Sequence, residues 1–278
     1  MALGTYTSQI IVIQDDKDGI LENKMNIKDG AIAFIKEYFE KNGDTNTKAI
    51  IGVSGGKDSS VVSALCCAAL GKERVFGVMM PNGIQKDIDD SKRLCEFLGI
   101  ENYVVNINDA YKGLSGAISS ALNKPELTDQ FATNTPSRLR MSTLYGVAAM
   151  LGNARISCNG NLSERLAGFY TLWGDGAGDF APLAYLFVSE VVQLGLDLGL
   201  PKELVKNAPS EGMCGMTDEE KLGFTYDELE KVATGKTGGM SPERVASISK
   251  RLKGFSWKRA LLKLPCYIPE NKNPEDFI

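Results

Sequence analysis

The sequence predicts an α/β fold, a doubly wound open parallel sheet with helices on both faces. Four short apolar runs recur at 48–53, 74–80, 102–107 and 154–159, and the segments between them are long enough for helices. A paired-glycine turn, SGGKDSS at 54–60, sits where the first run ends and a helix start is expected.

Taken in order, residues 27–39 place Ile27, Ala31, Phe34, Ile35, Tyr38 and Phe39 on one helical face, as expected for an amphipathic helix packed on a sheet. KAIIGV at 48–53 forms the first strand and RVFGVMM at 74–80 the second. Met79 and Met80 read as core and strand-end packing, and the following MMPNGIQ carries Gln85 toward the sheet's carboxyl edge. Ile84, Ile88, Ser91, Cys95 and Leu98 have helical spacing, so a helix is expected over 84–98. NYVVNI at 102–107 is the third strand. Met141, Leu144, Tyr145, Ala148 and Leu151 then mark a helix over 141–151, followed by the fourth strand, ARISCN at 154–159. From residue 160 the pattern loosens into a long glycine-containing loop, the length usually kept for function. A helix near 187–198 is ended by LGLPKEL, and Thr217 with Glu220 and Thr225 with Glu228 fit capping boxes.

A chain of 278 residues suits one domain spanning 1–278, with a short extension over about 1–25 and a helical C-terminal segment over about 226–278. The excess of acidic over basic residues is four, with no basic block, which argues against a nucleic-acid partner. Histidine is absent, so zinc clusters and His-based proton relays are excluded. The cysteines at 66, 67, 95, 158, 214 and 266 form no C-x-x-C pair and read as buried thiols in a reducing compartment. No signal-like start and no apolar run near the ~18 residues of a membrane span are present, so a cytoplasmic location is expected.

The glycine turn carries the first chemical argument. A strand ending at Val53 delivers the N–H groups of Ser54 to Ser59 to the first helical turn, where unpaired donors and the helix dipole attract phosphate. It is not a Walker A loop, because Ile51 stands where that motif needs glycine and Asp58 where it needs a hydroxyl. Asp58 suggests instead a carboxylate holding Mg²⁺ against pyrophosphate. The run S-G-G-x-D-S resembles the loop of the ATP pyrophosphatases, which split ATP between its α and β phosphates and adenylate an oxygen of the second substrate.

Further stretches resemble one branch of that group, the NAD synthetases. They are NTPSRLRMSTLY at 134–145, NGNLSERLAGFYTLWGDGAGDFAPL at 159–183, APSEGM at 208–213 and TDEEKLGFTYDELE at 217–230, with WKR at 257–259 as a short echo of the family's His-Lys-Arg. The resemblance implies an adenine nucleotide alpha-hydrolase-like sheet and amidation of nicotinic acid adenine dinucleotide with ATP and ammonia, through an acyl adenylate. It implies that ATP lies against Gly52, Val53, Ser54, Gly55, Gly56, Lys57, Asp58 and Ser59, with Gln85, Asn159 and Ser210 also contributing. By the same resemblance Asp58 and Glu164 hold Mg²⁺, and Arg138, Asp175, Asp179, Lys258 and Arg259 bind the deamido-dinucleotide. Asp58, Glu164 and Asp179 are the catalytic candidates, although no general base for ammonia is evident.

The residues alone leave alternatives open. A helix sends Arg138 and Arg140 roughly 200° apart, so only one faces a site squarely; the resemblance gives that place to Arg138 and leaves Arg140 to an internal ion pair. Glu164 has a surface helix residue as its alternative, which its N-G-N-L-S-E context disfavours; Asp175 and Asp179 read also as parts of a solvated turn, Lys258 and Arg259 as exposed charges, and Lys57 as a solvent-facing side chain. The chain also departs from the family pattern: Val188 and Leu172 replace lysines and Trp257 replaces a histidine. These losses admit two other readings, a paralogue that amidates another carboxylate or a catalytically weakened nucleotide-binding protein. The resemblance further implies a homodimer. The space ahead of residue 48 is too short for an amidase domain, so ammonia is expected from solution or another polypeptide.

Overall fold

The computed structural model describes residues 26–85, 88–206, 218–260 and 266–273. Four strands, β1 (Lys48–Gly52), β2 (Val75–Met79), β3 (Glu101–Val104) and β4 (Ala154–Ile156), form one sheet in the order β3-β2-β1-β4. Every pair is parallel, as the alternation of apolar runs and helix-length segments requires.

The pleat of β1 explains why both faces are covered. Ala49 and Ile51 point to one side with Val53, where they meet α1 (Ile27–Asn42), α2 (Lys57–Leu70), α3 (Ile88–Leu98), α7 (Val188–Asp197) and α8 (Lys202–Lys206). Ile50 points the other way with Phe76, Val78 and Ile156, and is covered by Leu144 and Leu151 of α5 (Asp129–Leu151). α4 (Asn108–Leu122) lies on α5. A second cluster joins α6 (Leu162–Ala167) to α10 (Tyr226–Ala233) and α11 (Pro242–Gly254) through Leu162, Leu166, Leu229 and Ile248. The short helices α9 (Asp218–Leu222) and α12 (Ser256–Ala260) complete this layer.

The structure corrects several element boundaries. Ile84 is 100% exposed and precedes the helix, which starts at Ile88, because Pro81, Asn82 and Gly83 turn the chain, with Gly83 at φ +86. The helix expected at 141–151 begins at Asp129, where Thr128 caps it by accepting from the Phe131 N–H. The third strand stops at Val104, although Val105 and Ile107 still donate to Met79 and Pro81. The region from 160 is no continuous loop: Asn161 starts α6 with a full capping box. The box at Thr225 and Glu228 forms, whereas Thr217 lies outside the described residues. No helix among the described residues is long and apolar enough to cross a membrane.

Candidate functional site

The chain runs from β1 to β2 to β3 on one side, then returns to add β4 on the other side of β1. Strand order therefore reverses between β1 and β4, and the loops leaving their carboxyl ends flank a crevice that nothing in the sheet fills. Both groups expected to handle ATP leave from those two ends.

The loop after β1 is shaped by its own hydroxyls. Ser54 Oγ accepts from the Gly56 N–H at 3.3 Å and lies 3.2 Å from Ser59 Oγ, which itself donates to the Gly56 carbonyl at 3.1 Å. Gly55 is at φ +80, and a Cβ there would stand 3.1 Å from Asp90 Cβ, so glycine is required on both conformational and steric grounds. Gly56 caps α2 without a side-chain bond, which leaves the first-turn N–H groups of Lys57, Asp58 and Ser59 without intrahelical carbonyl partners. This is an anion-binding geometry.

Across the crevice, Asn159 donates to the Gly52 carbonyl at 3.0 Å and accepts from Ser157 Oγ at 2.7 Å, stitching the end of β4 to the end of β1. Asn161, fully buried, does more. Its Nδ2 donates to Asp58 Oδ1 at 2.9 Å, its Oδ1 accepts the Glu164 N–H at 3.0 Å, and its own N–H donates to Glu164 Oε2 at 3.1 Å. One residue thereby ties together the two carboxylates proposed for a cation, Asp58 through its side chain and Glu164 through its backbone N–H. Asn161 is not among the site residues expected from the sequence, although Asn-x-x-Glu ahead of an apolar residue is the signature of a capping box. Lys57 does not face solvent: its side chain is 3% exposed and its Nζ lies 3.0 Å from Asp58 Oδ2.

Among the described residues no group of three or more Cys, Asp or Glu could hold a metal alone. Two linked carboxylates beside an anion loop do fit a magnesium-like ion, which takes one or two carboxylates and completes its shell with phosphate and water.

The residues expected at the second substrate are brought near each other on a separate stretch. Arg138 Nε donates to the Leu172 carbonyl at 3.2 Å, and Ser137 Oγ donates to Asp175 Oδ1 at 2.6 Å while accepting the Asp175 N–H. Asp179 accepts from Tyr145 Oη at 2.9 Å and from the Ile156 N–H at 2.8 Å. Burial first, and then the bond to Asp179, pushes the Tyr145 hydroxyl well up. Gly178 makes this possible, because a Cβ there would meet the Cys158 backbone N at 2.7 Å.

Lys258 Nζ donates to the carbonyls of Gly168 (2.8 Å) and Tyr170 and stands 4.1 Å from the Tyr170 ring centre. Burial pulls its pKa down, Asp175 lifts it, and Arg251 and Arg138 lower it, which puts Lys258, Asp175 and Arg138 in one electrostatic neighbourhood. Arg259 donates to Leu166 and Leu252, so both cations are half-buried rather than exposed, and both brace the 166–170 turn. Arg140 donates to the Met80 carbonyl at 3.0 Å.

Two expected positions, Gln85 and Ser210, and two departures from the family pattern, Val188 and Trp257, stand apart. Gln85 is half-buried at the end of the turn after β2. Ser210 lies outside the described residues. Val188 opens α7 and donates its N–H to Ser163 Oγ at 3.1 Å, while Trp257 is exposed.

Known proteins share this fold. A solved structure of NMN synthetase from Francisella tularensis superposes with a TM-score of 0.74 at 30% identity, covering 86% of this chain and 97% of that one. The NH3-dependent NAD synthetase from Campylobacter jejuni gives 0.68 at 28% identity, over 87% and 98%. In sequence, the NH(3)-dependent NAD(+) synthetase of Pyrococcus horikoshii is 38% identical over 205 residues, 73% of this chain and 77% of that protein. Residues 28–261 match the family described as NAD synthase, and the chain belongs to that family.

Proposed function

We propose that this ATP-dependent ligase converts nicotinic acid adenine dinucleotide and ammonia to NAD, releasing AMP and pyrophosphate. The observation that carries the reading is the junction of the β1 loop with Asn161 and Glu164 at the point of strand reversal, within a region matched to the family over 28–261. A nicotinate carboxylate oxygen attacks the α-phosphorus of ATP, the bond to the β-phosphate oxygen breaks, and pyrophosphate leaves with its electron pair. Ammonia then attacks the acyl carbon, sheds its proton to solvent, and AMP departs with the oxygen it gained.

No covalent nucleophile or histidine is needed, so the chain contributes position and charge. The N–H groups of Lys57 to Ser59 would face the pyrophosphate, Asn159 would keep the crevice walls together, and Arg138 with Lys258 would meet the dinucleotide's phosphates. Asp58 and Glu164 would hold a magnesium ion, whose bound charge offsets that of the phosphates. Asp58→Asn is expected to slow pyrophosphate release by about a hundredfold or more; turnover at the wild-type rate would remove Asp58 from the site.

The resemblance in fold to an NMN synthetase favours testing a second carboxylate, nicotinic acid mononucleotide. MgATP and ammonium are incubated with each nucleotide, and pyrophosphate and amide product are measured. Amidation of the mononucleotide alone would overturn the dinucleotide assignment. Retained ATP binding with no pyrophosphate from either would support the weakened nucleotide binder.

The protein pairs with a second copy through α4 and α5 in this reading. α4 buries none of its residues, and Leu114 and Leu122 of α4, Leu127 of the connection and Met150 (91%) of α5 stand exposed. A monomer by light scattering at working concentration would contradict the pairing. The described cysteines are free thiols, which supports a reducing, cytoplasmic setting.

A further inference from the structure

We propose that Lys57 is the resident counter-ion of Asp58, occupying the carboxylate oxygen a divalent cation needs, so that the cation binds with ATP and not before it. The inference rests on the assignment of Asp58 to the cation made above.

Lys57 opens α2, where the helix dipole favours anions and disfavours an ammonium. A lysine at such a place normally extends into water. Here its side chain is 3% exposed, its Nζ lies 3.0 Å from Asp58 Oδ2, and the ring centre of buried Tyr226 is 5.9 Å away. An ammonium taken out of water in this way requires a matching carboxylate. Asp58 is engaged on its other side as well, where Asn161 Nδ2 donates to Oδ1 at 2.9 Å. Both oxygens of the carboxylate are therefore in use in the ligand-free chain.

A bare divalent ion arriving at Asp58 must displace the Lys57 ammonium from Asp58 Oδ2 against the repulsion between the two positive charges. ATP changes that balance, because its polyphosphate brings negative charge to the same helix start. The ammonium can then move from Asp58 Oδ2 to a phosphate oxygen as the cation takes its place. The same exchange would supply a cation to the phosphates despite the loss of lysine at Val188.

The test uses Mn²⁺ as a paramagnetic probe, titrated into wild-type protein, Lys57→Gln and Lys57→Met, with and without a non-hydrolysable α,β-methylene analogue of ATP. Gln keeps a hydrogen bond to Asp58 without the charge, and thermal unfolding checks that each variant is folded. Removing the competing charge should tighten Mn²⁺ binding without nucleotide by about tenfold in both variants and weaken analogue binding by about tenfold. Damage to the fold alone would not tighten metal binding. Wild-type or weaker Mn²⁺ affinity in folded Lys57→Gln without nucleotide overturns the proposal. If instead Asp58→Asn leaves Mn²⁺ binding in the presence of the analogue unchanged, the assignment of the cation itself fails, a result separable from the role of Lys57.

Discussion

Replacing Asn161 by Ser separates the two jobs of that side chain. Serine is as good an N-cap as asparagine, so the bond from the Glu164 N–H and the start of α6 are retained. A serine is too short to reach Asp58, and the 2.9 Å bond to its Oδ1 is lost. A hydrogen bond to a charged group is worth about 1.5 to 3 kcal/mol. If Asp58 must be held for adenylation, kcat/KM for ATP should fall by roughly one to two decades, with KM for ammonium unchanged. Asn161→Ala removes the cap as well and should cost about 1 kcal/mol more in stability without a further loss of activity. Initial rates of pyrophosphate release and urea unfolding read the two effects apart. Wild-type kcat/KM for ATP in Asn161→Ser, or a defect confined to ammonium, would refute the reasoning.

Three other outcomes follow from the same geometry. Gly178→Ala puts a Cβ 2.7 Å from the Cys158 backbone N and should lower stability by about 1 to 3 kcal/mol while raising KM for the dinucleotide, since it displaces the neighbouring Asp179. Lys258→Met loses the bonds to Gly168 and Tyr170 and should raise KM for the dinucleotide while leaving that for ATP unchanged; equal effects on both would deny it a place in the second subsite. Glu228 is held down at about 2, against an ordinary 4.5, first by paired bonds from Arg244 and then by the Thr225 N–H. Because the folded value is depressed, its stabilisation is complete above about pH 4.5 and disappears as the pH falls toward 2. The pair is partly solvent-exposed, so wild type should exceed Glu228→Gln by about 1 kcal/mol at pH 7 and by nothing near pH 2, read from thermal unfolding.

The sheet was legible because burial on both faces leaves β1 and β2 as unbroken apolar runs, and the helix at 27–39 because one apolar face recurs every three to four residues. The stretch from 160 to 187 was not legible in the same way. α6 has only six residues, too few for a periodic pattern, and is held by its cap and by contacts with α10 and α11. Asp58 stood out through its motif, whereas the direction taken by Lys57 depends on a ring from residue 226 and on the burial that follows folding. Asp179 looked like a residue of a glycine turn because its partners, Tyr145 and the Ile156 N–H, are 34 and 23 residues away in sequence. The half-burial of Lys258 and Arg259 has the same origin, in carbonyls of the 166–170 turn that no local pattern reveals.

The central claim is that the crevice between β1 and β4 adenylates a nicotinate carboxylate. It is tested most directly by following the carboxylate oxygen. Nicotinic acid adenine dinucleotide labelled with ¹⁸O in the carboxylate is turned over with MgATP and ammonium, and the phosphorus products are analysed by mass spectrometry. Attack on the α-phosphorus requires one labelled oxygen to appear in AMP for each NAD formed, with none in pyrophosphate. Label in pyrophosphate or inorganic phosphate, or NAD formed with unlabelled AMP, would contradict the account.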